Sequence, residues 1–291
     1  MEQQAVITIE GLVKVYRGGF SGIPVKALKG ISFDIHRGEV FGLLGPNGSG
    51  KTTTIKILLG LLFATAGKCT IFGREPSNVE VKKRIGFLPE ESYLYRFLNA
   101  YETLDFYGAL SGMPRKLRRE RARKLIDMVG LSEAADRPLK GYSKGMSRRI
   151  GLAAALISDP ELVILDEPTS GLDPIGNREI KDLILRMKGE GKTVLLCSHL
   201  LADVEDVCDR ISILSRGELA ANGPVSELLS RTDRFELVLE SMTDEEIAEL
   251  RQFVSERQNK KVFGATHPRR KLEDLFLEVV MEREGRGNGK S

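Results

Sequence analysis

A glycine-rich loop carries the clearest chemical signal in the sequence, because its residue types are those that bind nucleotide phosphates. Residues 45–52 read Gly-Pro-Asn-Gly-Ser-Gly-Lys-Thr and fit the pattern G-x-x-x-x-G-K-[ST] without a mismatch. Glycines let backbone N–H groups curl around phosphate oxygens; we expect Lys51 to reach the β- and γ-phosphates and the Thr52 hydroxyl to bind Mg²⁺. The residues predicted to contact the nucleotide are Asn47, Gly48, Ser49, Gly50, Lys51, Thr52 and Thr53.

Two acidic residues end an apolar run and could supply the rest of a hydrolytic site. Residues 162–165 are Leu-Val-Ile-Leu, and Asp166 and Glu167 follow them. We interpret Asp166 as a partner of Mg²⁺ through water and Glu167 as the general base that polarises the attacking water. His199 comes just after a second apolar run, residues 193–197, and could reach a γ-phosphate.

A second anion-binding element is predicted at residue 143. Ser143 is typical of a helix N-cap, and the residues behind it carry apolar side chains at helical spacing. The N-terminus of a helix presents free N–H groups and a partial positive charge, so it can bind an anion. The alternative is an ordinary capped helix without a ligand.

The elements that must position these residues are strands and helices in alternation. Residues 40–44 are apolar and precede the glycine loop, while residues 52–62 have helical apolar spacing, which predicts the order strand, loop, helix. The run before Asp166 predicts a parallel strand buried on both faces. Ligands of such sheets bind at the carboxyl ends of the strands, where Asp166, Glu167 and His199 are placed.

Composition narrows the function classes. The chain has 291 residues, which suggests about two domains, and 41% hydrophobic with 29% charged residues indicate a globular protein. A net charge of +3 gives no general affinity for nucleic acid. Three scattered cysteines predict a reducing compartment rather than disulfides or a zinc site. No apolar run reaches the roughly 20 residues of a membrane span, and no signal peptide is expected.

The motifs together resemble the ATP-binding subunit of ATP-binding-cassette (ABC) transporters. The chain holds, in the family's order, GPNGSGKT at 45–52, YSKGM at 142–146, LVILDEP at 162–168, SGLD at 170–173 and His199. This resemblance covers residues 5–225. It implies an α/β fold: a P-loop ATPase core with a parallel sheet, an antiparallel β layer, and a helical subdomain over residues 92–160 that docks against the membrane partner.

The resemblance also implies how such a site works. Two nucleotide-binding subunits, identical or different, would face each other head to tail, and each ATP would lie between the phosphate loop of one and Ser143 and Gly145 of the other. The partner would be a transmembrane permease, and this chain would be cytoplasmic and peripheral on the inner face of the cell membrane, powering export. The resemblance implies that Tyr16 stacks on adenine and that Glu167 is the general base. It also implies that His199 senses the γ-phosphate and that Asp173 links the two sites.

The sequence departs from the family pattern in three places. Glu90 stands where the family often has Gln, and its carboxylate can still help bind metal or water but cannot donate a hydrogen bond. In YSKGM, Lys144 and Met146 replace Gly and Gln; we expect Lys144 to point to solvent, with a place beside phosphate as the alternative. The segment 18–25 is longer than usual, so Phe20 is an alternative to Tyr16 as the adenine platform.

We predict three parts of the chain. The ABC ATPase domain spans residues 1–225, a small α+β accessory domain spans 226–284, and the polar tail 285–291 is disordered. The accessory domain is inferred from a strand pattern at 235–239, a capping box at Thr243 and Glu246, and an apolar helical stripe over 272–280.

A basic run at residues 115–124 is expected to be a solvated helix face rather than a contact for acidic lipid or nucleic acid. In the mostly helical region 92–160, one apolar face is predicted to consist of Leu117, Leu125, Ile126 and Val129.

Two other function classes fit part of the sequence. A soluble ABC ATPase acting on DNA or ribosomes would carry long insertions, cysteine pairs or two cassettes, which this sequence lacks. A small-molecule P-loop kinase would need an acceptor-binding lid and would leave YSKGM and SGLD unexplained. We therefore predict an ATPase that drives a membrane permease, with no nucleic acid partner.

Overall fold

The computed structural model of the protein describes residues 4–17, 24–230 and 242–258. The strands in these ranges are β1 (Ala5–Tyr16), β2 (Val25–His36), β3 (Val40–Leu44), β4 (Ala66–Ile71), β5 (Ile85–Leu88), β6 (Leu162–Asp166), β7 (Thr193–Ser198), β8 (Arg210–Ser215) and β9 (Glu218–Pro224). The helices are α1 (Lys51–Leu58), α2 (Val79–Lys82), α3 (Ala100–Leu110), α4 (Arg115–Met128), α5 (Lys144–Leu156), α6 (Pro174–Gly189), α7 (Leu201–Val207), α8 (Val225–Leu229) and α9 (Asp244–Gln258). None of the described helices is long and apolar enough to span a membrane.

The described strands form two sheets. The larger has six strands in the order β5-β6-β7-β3-β8-β9, all parallel to their neighbours except β9, which pairs antiparallel with β8. The smaller is antiparallel, with β1 between β2 and β4. The predicted α/β fold, with a parallel core and an antiparallel layer, is confirmed.

Burial on both faces explains why the central strands read as continuous apolar runs. Successive side chains of a strand point to opposite faces of the sheet. In β3, Val40 and Leu44 pack into a cluster with residues of α3 to α7. Phe41 and Leu43 face the other way, into a cluster with the antiparallel sheet and α1. The parallel sheet is therefore held between two apolar layers, which fixes the positions of its strand ends.

The predicted helical region is confirmed, with one error on its apolar face. Asn99 and Glu102 form a capping box at the start of α3, each side chain accepting the other's backbone N–H at 2.9 Å. Helix α4 buries Leu125 and Ile126, but Leu117 is 43% exposed. Nine residues at 100° each place Leu117 opposite Ile126 on the helix, so the two cannot share a face.

The basic run on α4 divides into inward and outward members. Arg118 bonds Asp105 at 2.8 Å, and Arg121 donates to the carbonyl of Ile157 at 2.8 Å. The other five basic side chains, at positions 115, 116, 119, 123 and 124, are exposed.

Helix α1 is shorter than the predicted 52–62. It ends at Leu58, because the N–H groups of Leu61 and Leu62 both turn back to the carbonyl of Lys56 and close the last turn. The apolar spacing continues past the helix because Leu62 still packs against the core from a non-helical segment.

The chain divides into two compact units, Met1–Leu229 and Ser230–Ser291. In the second unit, α9 begins with the predicted capping box, in which Thr243 N donates to Glu246 Oε2 at 2.7 Å. The predictions for Phe20, the strand at 235–239, the stripe at 272–280 and the tail at 285–291 lie outside the described residues.

Candidate functional site

The phosphate loop joins β3 to α1 and curls tightly around its own lysine. The Lys51 ammonium donates to the carbonyl of Gly45 at 2.6 Å and lies 3.8 Å from Glu167 Oε1, and both side chains are buried. Gly45 has φ +152°, and a Cβ there would overlap the carbonyl oxygen of Leu214 and the side chain of Ser49. The loop is therefore shaped by backbone that only glycine adopts, with a cation at its centre.

Two carboxylates enter the site from the end of β6. The parallel pairing of β6 with β7 sets Asp166 opposite Cys197 and leaves Glu167 just beyond the sheet. Burial, with the nearby charges of Glu167 and Glu90, raises the pKa of Asp166 to about 6. Three carboxylates thus share one end of the sheet and concentrate negative charge there.

His199 completes the cluster from the end of β7. Its Nδ1 lies 2.8 Å from Glu167 Oε2, and its backbone N–H donates to the same oxygen at 3.4 Å. Glu167 itself has φ +48°, a left-handed conformation that is strained for a side chain of this kind. The structure therefore brings together four of the predicted residues: Lys51, Asp166, Glu167 and His199.

The residues at this end of the sheet fit a magnesium ion held jointly with phosphate. Within the described ranges, no cluster of three or more His, Cys, Asp or Glu side chains forms a metal site on its own. Mg²⁺ is commonly bound by only one or two carboxylates together with nucleotide phosphates. Burial, Glu167 and Glu90 raise the pKa of Asp166 more than Lys51 and Arg148 lower it, so a divalent cation would favour the charged carboxylate. Thr52, at the start of α1, offers an exposed hydroxyl.

The predicted adenine platform lies at the edge of the loop. The hydroxyl of Tyr16, the last residue of β1, is 3.3 Å from Thr53 Oγ1. The Lys14 ammonium lies 5.4 Å from the centre of the Tyr16 ring, which is 37% exposed. Adenine stacking on Tyr16 stays a prediction.

The YSKGM segment, residues 142–146, contributes an exposed helix N-cap. Ser143 caps α5 as predicted, its hydroxyl accepting from the Met146 N–H at 3.2 Å, and it is exposed. Within the described residues, Ser143 has no hydrogen bond to the four clustered side chains. Lys144 is exposed as expected, but its ammonium lies against Gly171, where a Cβ would overlap it. Asp173 caps α6 by accepting from the Gly176 N–H at 2.7 Å.

Comparisons with known proteins decide the family. A family model described as ABC transporter matches residues 28–170. An uncharacterized ABC transporter ATP-binding protein of Synechocystis sp. is 40% identical over 305 residues, which cover 97% of this chain and 86% of the relative. The chain belongs to the ABC transporter ATP-binding proteins. It is an ATPase of the ABC type, and its hydrolysis of ATP powers transport.

Further similarities bear on direction and assembly of ABC ATPases. A fluoroquinolones export ATP-binding protein of Mycobacterium tuberculosis is 36% identical over 87% of each chain. A solved dimeric ATP-binding cassette in a post-hydrolysis state, bound to ADP and Pi, has a TM-score of 0.67 and 27% identity, and covers 75% of this chain and 98% of that one. The family predicted from the motifs is confirmed.

Two buried residues that bind the chain after β6 in this ABC ATPase were not predicted from the sequence. The guanidinium of Arg148, on α5, binds the backbone beside Asp166 and Glu167. The sequence indicates that Arg148 is buried, because it lies four residues before Leu152 and therefore on the apolar stripe of α5. Asp203 is buried on α7 and accepts from Thr169 Oγ1 at 2.6 Å and Asn177 Nδ2 at 2.9 Å. The sequence does not indicate that Asp203 is buried, because an acid in the first turn of a helix is usually a surface residue.

Proposed function

We propose that this ABC ATPase hydrolyses ATP in a site shared between two nucleotide-binding subunits. The observation that carries the proposal is that the two anion-binding elements of one protomer are not joined by a hydrogen bond in the described part of the chain. Among the residues that the structure describes, the loop around Lys51 lies beside the carboxylates, whereas the exposed Ser143 end of α5 has no bond to that cluster. A second subunit, turned head to tail, would bring its own Ser143 and Gly145 to the phosphates. The dimeric structure of a related cassette supports this pairing.

Each clustered residue then has a role. Lys51 and the loop N–H groups bind the phosphates, and the N-terminus of α1 adds its partial positive charge. Glu167 orients the attacking water and accepts its proton, while His199 holds the Glu167 carboxylate and approaches the γ-phosphate. Thr52 and Asp166 would hold Mg²⁺, with Glu90 beside them, and the ion would neutralise phosphate charge.

The partner in this proposal is a transmembrane permease on whose cytoplasmic face the ATPase sits. The pairing of two subunits on ATP and their release after hydrolysis would move the permease between its states. The similarity to a fluoroquinolones export protein supports export as the direction. Recovery with a multi-spanning permease from detergent-solubilised membranes would support this assignment, and recovery with DNA or ribosomes instead would overturn it.

The shared site is tested by trapping it. With ATP and Mg²⁺, we expect Glu167→Gln to elute as a dimer in size exclusion with light scattering and to turn over at least about 100-fold more slowly than the parent. Lys51→Ala should remain monomeric and inactive, because the phosphates lose their central cation.

Glu190→Gln is the matched control, since Glu190 is an exposed acid that follows α6 and lies outside the site. It should behave as the parent does. A Glu167→Gln protein that binds ATP but stays monomeric would overturn the shared site, and parent-like turnover would place the general base elsewhere.

A further inference from the structure

Arg148 uses every N–H of its guanidinium on backbone carbonyls of the catalytic loops. Nη2 donates to Asp166 at 2.6 Å and to Glu167 at 2.8 Å, and Nε donates to Pro168 at 2.9 Å. Nη1 donates to Glu90 at 2.9 Å and also to Pro89. Five donors meet five acceptors, all of them outside the helix that carries the arginine.

These carbonyls belong to two separate segments. Residues 166–168 leave the end of β6, and residues 89–90 leave the end of the neighbouring strand β5. Arg148 therefore ties α5 to both segments that bring carboxylates to the site. None of the five bonds involves a carboxylate oxygen, so the side chains of Asp166 and Glu167 remain available for other partners.

Packing alone does not account for this residue. Arg148 is 7% exposed, and burial lowers its pKa to about 10, with the carboxylates of Asp166, Glu90 and Glu167 acting in the opposite direction. Removing a cation from water is costly, and an apolar side chain on the stripe with Leu152 and Leu156 would fill the space without that penalty. What an apolar residue could not do is hold the carbonyls.

The carbonyls that Arg148 holds flank the strained residue of the site. Glu167 has φ +48°, and its carbonyl and that of Pro168 both accept from the guanidinium. Backbone in such a conformation persists only where its surroundings determine it, so these bonds help set the direction in which the Glu167 side chain leaves the chain.

Ser143, five residues before Arg148, is the N-cap of the same helix. At a rise of 1.5 Å per residue, the two lie about 7.5 Å apart along the axis of one continuous helix. We propose that Arg148 is a positioning residue that couples the Ser143 end of α5 to the backbone of Glu167. Ser143 of one subunit would contact the nucleotide bound by the other subunit's loop. Through Arg148, that contact would adjust Glu167 of the same subunit as the Ser143, which is the general base of the second site. This inference rests on the proposed shared site.

A double-mutant cycle tests the coupling. We expect Ser143→Ala and Arg148→Gln each to lower kcat at least tenfold, with the Kd for a fluorescent ATP analogue changed less than twofold. If Arg148 transmits the effect of Ser143, the double variant will be no slower than the slower single variant, because the second change removes a link already broken. Loss of kcat without loss of nucleotide affinity separates positioning from general destabilisation.

Arg121→Gln provides the control, because Arg121 also binds carbonyls of the α5 region, those of Leu156 and Ile157, away from the site. Arg121→Gln should leave kcat unchanged. The double variant with Ser143→Ala should therefore have the same kcat as Ser143→Ala alone. Arg148→Lys extends the test if Arg148→Gln fails to fold. It keeps the charge but has three donors for five carbonyls, and it should show the same split between kcat and Kd.

Three results would overturn the coupling: parent-like kcat in both Arg148 variants, equal losses of kcat and nucleotide affinity, or a double variant whose losses multiply. Failure of the shared site gives a different signature. Glu167→Gln would then fail to pair on ATP, whatever the Arg148 variants do.

Discussion

Asp166 is a buried side chain whose negative charge the folded chain disfavours. Its pKa is raised from an ordinary 3.8 to about 6, first by burial and then by Glu167 and Glu90. Between these two values the folded chain binds more protons than the unfolded chain does, so the free energy of unfolding falls as pH rises from about 4 to about 6. The full effect approaches 3 kcal/mol, at about 1.4 kcal/mol per pKa unit.

In the nucleotide-free protein, Asp166→Asn should remove this fall in the free energy of unfolding with rising pH. Urea unfolding at pH 4.5 and pH 7 measures it: the parent should lose stability between these values relative to the variant. Glu190→Asn serves as the comparison at an exposed acid. Identical pH profiles for the parent and Asp166→Asn would show that burial does not penalise the Asp166 charge.

Residue types and strand order were sufficient to predict the main cluster. Strands β3, β6 and β7 are apolar runs, and residues at the carboxyl ends of adjacent parallel strands must converge, which brings Lys51, Glu167 and His199 together. The place of Arg148 on the apolar stripe of α5 indicates a buried side chain but not its partners, because these are backbone carbonyls, which every sequence offers equally. The position of Lys144 against Gly171 depends likewise on a backbone conformation that the sequence leaves open.

At the scale of elements, the turn from β3 into the phosphate loop tolerates little change. Gly45→Ala would place a Cβ against the Leu214 carbonyl and the Ser49 side chain at φ +152°. We expect this variant to lose nucleotide binding and at least about 2 kcal/mol of stability, since strain and overlap add.

Gly38→Ala is the matched substitution in the preceding turn. Gly38 has φ +77° but open space around its Cα, so the variant should lose only about 1–2 kcal/mol from strain and bind nucleotide normally. Calorimetry and titration with a fluorescent ATP analogue measure both quantities. Equal effects of the two substitutions would contradict the role given to overlap at Gly45.

The observed boundaries of the elements show what the spacing of apolar residues can predict and what it cannot. Strands β3, β6 and β7 match their predicted positions within a residue, because burial on both faces leaves a continuous apolar run. Helix α1 ends before its apolar spacing does, since the spacing reports which side chains are buried and not which N–H groups bond four residues back. Leu117 fails for a related reason: it fits the composition of an apolar face but not its angle.

At the scale of the whole molecule, the described apolar clusters both lie within residues 6–225. We propose that the ATPase domain is complete without the second unit. A chain ending at Leu229 should bind ATP as the full chain does and hydrolyse it at a similar rate, because the described site residues all precede that point.

Size exclusion, thermal melting and ATPase assays check this expectation, with Lys51→Ala in the shortened chain as the inactive control. Aggregation of the shortened chain, or a fall in its melting temperature of about 10 °C or more, would show that residues 230–291 contribute to the first unit's stability.

The left-handed backbone at Glu167 implies an opposition between durability and chemistry. Glycine would occupy that conformation without strain, so Glu167→Gly should melt at a higher temperature than the parent while losing hydrolysis. A library screened only for heat resistance would accordingly drift toward glycine there, and the acid would survive only under selection for turnover. Hydrolysis requires glutamate at position 167, whereas the stability of the fold alone would favour glycine there.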